Sequence, residues 1–129
     1  MNQVVFDFSV WIEYFRNKNS PISKKVDELI DLGNIYTNEL ILAEIIPFLK
    51  LKKQNHLSHI LESLECFRLN IDWNQIIEFQ ILNLKNGINR IGIPDLLILQ
   101  NMIQNDYTLF SLDKHFKLMS KFYKISLYS

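Results

Sequence analysis

Five short runs of strand character alternate with stretches of helical periodicity along this chain, and few architectures accept that order. The runs are Gln3–Phe6, Asn34–Tyr36, Cys66–Asn70, Thr108–Leu112 and Lys124–Tyr128. Between them, apolar residues recur every three or four positions: Trp11, Ile12, Tyr14, Phe15; Ile22, Val26, Leu29, Ile30; Trp73, Ile76, Ile77 and Leu84. Strands interleaved with helices imply an α/β fold, a three-layer α/β/α sandwich on a mainly parallel central sheet.

Local signals set the expected boundaries. Ser9 has the chemistry to cap the first helix, and Ser20-Pro21 opens the second, which Gly33 closes. Thr37 or Asn38 caps a third helix that Pro47 should kink or split, and Asp72 caps a long one. Gly92-Ile93-Pro94 favours an extended approach to Asp95, so Asp95 stands at or near the start of the apolar helix Leu96–Ile103.

The 129 residues are 48% apolar, enough for one sizeable core, and no linker interrupts them, so residues 1–129 are read as a single domain. The first residues, Met1 to Asp7, carry no basic leader, and no apolar run approaches the ~20 residues of a membrane span, so a soluble cytoplasmic protein is expected. Cys66, alone and in apolar company, excludes an internal disulfide and is expected in the core. Fourteen basic residues balance fourteen acidic ones, so any nucleic-acid contact must come from local patches. Two are visible: Lys50, Lys52, Lys53 with His56, and Lys114, Lys117, Lys121, Lys124; either could equally be a solvated helix face.

The acids are the informative residues. In an open parallel sheet the binding crevice lies beyond the carboxyl ends of the strands. Asp7 follows the first strand and Asp113 a late one, so both should emerge on one edge, which the helix start at Asp95 also faces. Glu44 falls within the apolar helical stretch Leu40, Ile41, Ala43, Ile45, where an acid is rarely buried without a partner. Four carboxylates at close range repel unless some are protonated or a divalent cation neutralises them. With no Cys/His constellation, an all-oxygen site suits Mg2+ or Mn2+. Such a site matches metal-assisted phosphodiester hydrolysis.

Each acid also has a bland reading, as a cap or turn residue. Ser9 and Ser111 can orient a carboxylate or serve as caps. Arg90 and Lys114 can meet a phosphate or stay solvated. His115 is read as a surface residue, and Trp11 with Tyr14 as core. Asp7-Phe8-Ser9 lacks the second Asp of a haloacid-dehalogenase-type phosphatase, and neither a glycine-rich phosphate loop nor a GxSxG elbow occurs.

Four segments in order resemble the PIN-domain family, and within it the toxin half of VapBC toxin–antitoxin pairs: VVFDFSVWIEYF, TNELILAEIIPFL, GIPDLLILQNM and TLFSLDKHF. The similarity spans nearly the whole chain and assigns metal binding and catalysis to Asp7, Glu44, Asp95 and Asp113. Ser111 falls where the family carries Thr or Ser, whereas Phe8 departs from the usual Thr after the first acid. The resemblance implies a Mg2+- or Mn2+-dependent endoribonuclease, a homodimer, and a small antitoxin that neutralises it; apolar faces near Trp11, Phe15 and Phe48 are candidate docking surfaces, or core. The competing readings are a PIN-like binding scaffold that no longer cleaves, and a metal-dependent DNA nuclease or phosphatase on the same fold.

Overall fold

Val4, Val5 and Phe6 are all buried, the pattern of a strand covered on both faces, and this strand lies at the centre of the sheet. The computed structural model describes residues 3–129; Met1 and Asn2, part of the segment read for a leader, lie outside the described residues. The strands are β1 (Val4–Phe6), β2 (Ile35–Thr37), β3 (Glu65–Cys66), β4 (Thr108–Phe110) and β5 (Ser126–Leu127). They form one sheet in the order β3-β2-β1-β4-β5, with every pair parallel. The helices α1 (Phe8–Arg16), α2 (Pro21–Leu32), α3 (Glu39–Leu51), α4 (Asn55–Ser63), α5 (Trp73–Lys85), α6 (Ile93–Asn105) and α7 (Lys114–Met119) complete the expected α/β/α sandwich. No described helix is long and apolar enough to cross a membrane.

The chain lays down β1, β2 and β3 in one direction, then returns to place β4 on the other side of β1. The switch point, where such sheets open a crevice, therefore lies between β1 and β4. Phe6 pairs with Phe110, so the two strands end level, and the Asp7 amide donates to the Phe110 carbonyl at 3.1 Å.

The local signals mostly operate as read. Ser20 caps α2 with Pro21 in its first turn, Gly33 takes the left-handed conformation at its end, and Asn38 and Asp72 cap α3 and α5. Four expectations are corrected. α1 is capped by Asp7, whose carboxylate accepts from the Val10 amide, and not by Ser9. α3 runs through Pro47 unbroken: Ala43, whose carbonyl loses its partner there, is exposed, so water can satisfy it. α6 begins at Ile93, because Pro94 in a first turn forfeits only an amide the helix leaves free anyway, and the extended approach falls on Gly92. Cys66 is exposed on the edge strand β3, which is two residues long rather than five.

Trp11 is fully buried, packed edge-on against Phe6 at 5.0 Å between centroids, so it belongs to the core and offers no docking surface. A polar knot is also buried. Asn101 Oδ1 accepts from Asn38 Nδ2 at 3.1 Å and from the Tyr107 hydroxyl at 2.9 Å, while its amide nitrogen donates to the Phe67 and Arg68 carbonyls. This network fastens the start of α3 to α6 and to the segment after β3. It thereby fixes the two helices that carry Glu44 and Asp95.

Candidate active site

Asp7 is 5% exposed, directly beyond β1. Its carboxylate accepts three hydrogen bonds: Ser9 Oγ and the Val10 amide donate to Oδ1, at 2.5 and 3.3 Å, and Ser111 Oγ donates to Oδ2 at 2.5 Å. The two hydroxyls are held in turn. Ser9 Oγ accepts from the Leu112 amide at 2.9 Å and Ser111 Oγ from the Asp113 amide at 3.0 Å. The turn after β1 and the turn after β4 are thus laced together around one carboxylate. Neither serine is a mere cap; each orients Asp7, Ser9 being held by the opposite turn and Ser111 by its own.

Asp113 caps α7, accepting from the His115 amide at 2.9 Å. Asp95 sits in the first turn of α6, where the helix amides favour negative charge. His115 lies between them, its Nδ1 3.4 Å from Asp113 Oδ1 and 3.6 Å from Asp95 Oδ2. One ligand atom from each of these three residues falls within 4.8 Å of the others. The histidine read as a surface residue is therefore part of the cluster.

The electrostatics join the remaining acids to this centre. Burial pushes the Asp7 carboxyl above its usual range in spite of the three donors, and the charge of Asp113 adds to the rise. Burial likewise raises Asp95, with Asp113 and Asp7 adding and His115 opposing. Glu44 is raised by burial of its carboxyl and by the charges of Asp95 and Asp7, so it lies within electrostatic range of both. As a residue it is exposed: Ile41, Ile45 and Leu49 form the buried face of α3, and Glu44 projects from the side of that face. The donor set, four neighbouring carboxylates with a histidine nitrogen between Asp95 and Asp113, is one that a divalent cation fits.

Arg90 and Lys114 are exposed, and neither forms an ion pair with the four acids among the described residues. Arg90 holds a left-handed backbone, φ 64°. Lys50, in the other basic patch, pairs with Glu62 at 3.5 Å. A cleft of about 400 Å3 opens beside Asp113, lined also by Ser111, Phe116, Lys117 and Tyr128 among others. Of the basic residues, Lys117 lines it.

Fold and site together define an α/β/α protein with an acidic pocket at the switch point of a parallel sheet. A family profile for the PIN domain matches residues 4–121, and the chain belongs to the PIN-domain family. Among solved structures the fold is shared with VapBC2 from Rickettsia felis bound to a DNA fragment from its promoter. That match has 21% identity and a TM-score of 0.73, and it covers 97% of this chain and 96% of that one. DNA-bound VapBC from Salmonella typhimurium matches with 12% identity and a TM-score of 0.75, covering 99% and 98%. FitAcB from Neisseria gonorrhoeae matches with 18% identity and a TM-score of 0.69, covering 98% and 97%. No curated protein matches the chain at the sequence level.

Proposed function

We propose that residues 1–129 act as one domain, a divalent-metal-dependent endoribonuclease that is the toxin of a toxin–antitoxin pair. The observation that carries the reading is the convergence of Asp7, Asp95 and Asp113 on one edge of the sheet, with Glu44 in electrostatic range of Asp7 and Asp95. Asp7, Asp95 and Asp113 would hold the ion and Glu44 would support it, with Mg2+ or Mn2+ as the metal. When bound, the ion supplies charge neutralisation at the phosphoryl oxygens and lowers the pKa of water. Ser9 and Ser111 keep the Asp7 carboxylate aimed and oppose the rise that burial imposes on it. Lys117, which lines the cleft, and the exposed Lys114 and Arg90 would contact the phosphodiester backbone rather than the bases.

The antitoxin reading rests on the likeness to VapBC and FitAB assemblies and on a groove of about 320 Å3. Tyr14, Phe15, Lys18, Asp27, Leu57 and Ile60 line it, between α1, α2 and α4, a mixture suited to an amphipathic partner segment. A homodimer is supported by the exposed row Trp73, Ile77, Ile81 and Leu84 along α5, an apolar stripe that one copy alone leaves in water. A cytoplasmic location follows from this role.

The test is hydrolysis of a structured RNA by the purified protein with Mg2+ or Mn2+, alongside Asp7→Asn and Asp95→Asn. Each substitution should lower the rate by about a hundredfold or more, the scale of losing one electrostatic stabiliser. Wild-type rates in either variant would remove the site assignment. Cleavage of DNA or of small phosphate esters in preference to RNA would replace the substrate assignment, and no metal uptake at all would leave a binding scaffold.

A further inference from the structure

His115 Nδ1 is buried and has no hydrogen-bond partner, although its residue sits at the mouth of a polar pocket. A buried nitrogen without a partner costs free energy, and native structures leave few of them. The two nearest groups, the Asp113 and Asp95 carboxylates, lie at 3.4 and 3.6 Å, too far for a hydrogen bond of ordinary length. Those spacings fit a different arrangement. Two donors each about 2.1 Å from one ion stand roughly 3.0 Å apart at a right angle and roughly 3.4 Å apart at the tetrahedral angle.

From this geometry we infer that His115 Nδ1 is a metal ligand, completing with Asp95 and Asp113 a mixed nitrogen and oxygen site that favours Mn2+ over Mg2+. The inference rests on the metal-dependent reading above and specifies its ligand set. Imidazole raises affinity for first-row transition ions far more than for Mg2+, which keeps to oxygen. The position of His115 is secured without its ring: its backbone amide donates to the Asp113 carboxylate that caps α7, and Phe116 beside it is buried in the core. Replacing the ring therefore removes the nitrogen and leaves the turn intact.

The test uses the full chain loaded with Mn2+ and read by pulsed EPR for a directly coordinated 14N nucleus. Nitrogen coupling is expected in the wild type and should vanish in His115→Ala but persist when the other two histidines, His56 and His59 on α4, are replaced. Titration calorimetry should show Mn2+ affinity falling by about tenfold or more in His115→Ala, with Mg2+ affinity falling less. Mn2+ bound to the wild type without nitrogen coupling, or equal losses for both ions in the variant, would overturn the inference while leaving the metal-dependent reading in place. Wild-type protein that takes up no Mn2+ would overturn both.

Discussion

Ser111→Ala removes one hydroxyl with two duties. That hydroxyl donates to Asp7 Oδ2 at 2.5 Å and accepts from the Asp113 amide at 3.0 Å. A hydrogen bond to a charged group contributes about 1.5–3 kcal/mol net, and the Asp113 amide can turn to water because its turn is only partly buried. The substitution should therefore lower the unfolding free energy by about 1.5–3 kcal/mol at neutral pH without metal. At a urea dependence of about 2 kcal/mol per molar, the midpoint falls by roughly 1 M. The bond favours ionised Asp7, so this loss is fully present above the Asp7 titration and fades as the pH falls through it. A double-mutant cycle isolates the interaction. In an Asp7→Asn background the serine bonds to a neutral partner, and Ser111→Ala should cost about 1 kcal/mol or less. A single-variant cost below about 0.5 kcal/mol, or strict additivity across the cycle, would refute the claim that Ser111 secures the Asp7 carboxylate.

Other consequences are open to measurement. Glu44 makes no side-chain hydrogen bond among the described residues, and its folded pKa is raised by burial, Asp95 and Asp7. The stability tied to this group is therefore fully present below the ordinary carboxylate range and lost as the pH rises through the elevated folded value. In chelator, Glu44→Gln should match the wild type in Tm at acid pH and exceed it at pH 7 and above, and saturating Mn2+ should reverse the order; a Tm difference independent of pH would contradict this. Cys66 is exposed, so maleimide should label the native protein without denaturant, and labelling only after unfolding would return the thiol to the core.

The sequence made some of this legible and hid the rest for physical reasons. Asp7 and Asp113 could be placed because each ends a strand, and the strand-end rule converts that local fact into a shared edge. Ser20, Gly33, Asn38 and Asp72 work through neighbours within four residues, the range a linear reading sees well. Glu44 reads as part of an apolar stretch because α3 is apolar over most of its circumference; only the packed row Ile41, Ile45, Leu49 shows which side is inward. Cys66 reads as core from its apolar neighbours, yet β3 is an edge strand, paired only with β2, and is covered less than its composition suggests. His115 escaped because its significance depends on Asp95, twenty positions away on another helix, which no local pattern reports. The lacing of Ser9 and Ser111 around Asp7 likewise joins turns at opposite ends of the chain. The Asn38–Asn101–Tyr107 knot left a weaker trace: polar residues in apolar company, without any sign of what they bond.

Val4 on the first strand finds its neighbour in Thr108 on the fourth, far along the sequence. Doubling the length of a loop adds only about 0.6 kcal/mol to the cost of closing it, so this pairing is tolerable at equilibrium. In time it matters more. A chain still emerging from the ribosome can join its first three strands yet keeps one side of its central strand bare and its first aspartate without Ser111. The pocket becomes whole only once β4 and the turn after it have been made, so a chain that ends short of Thr108 lacks the Ser111 and Asp113 side of it.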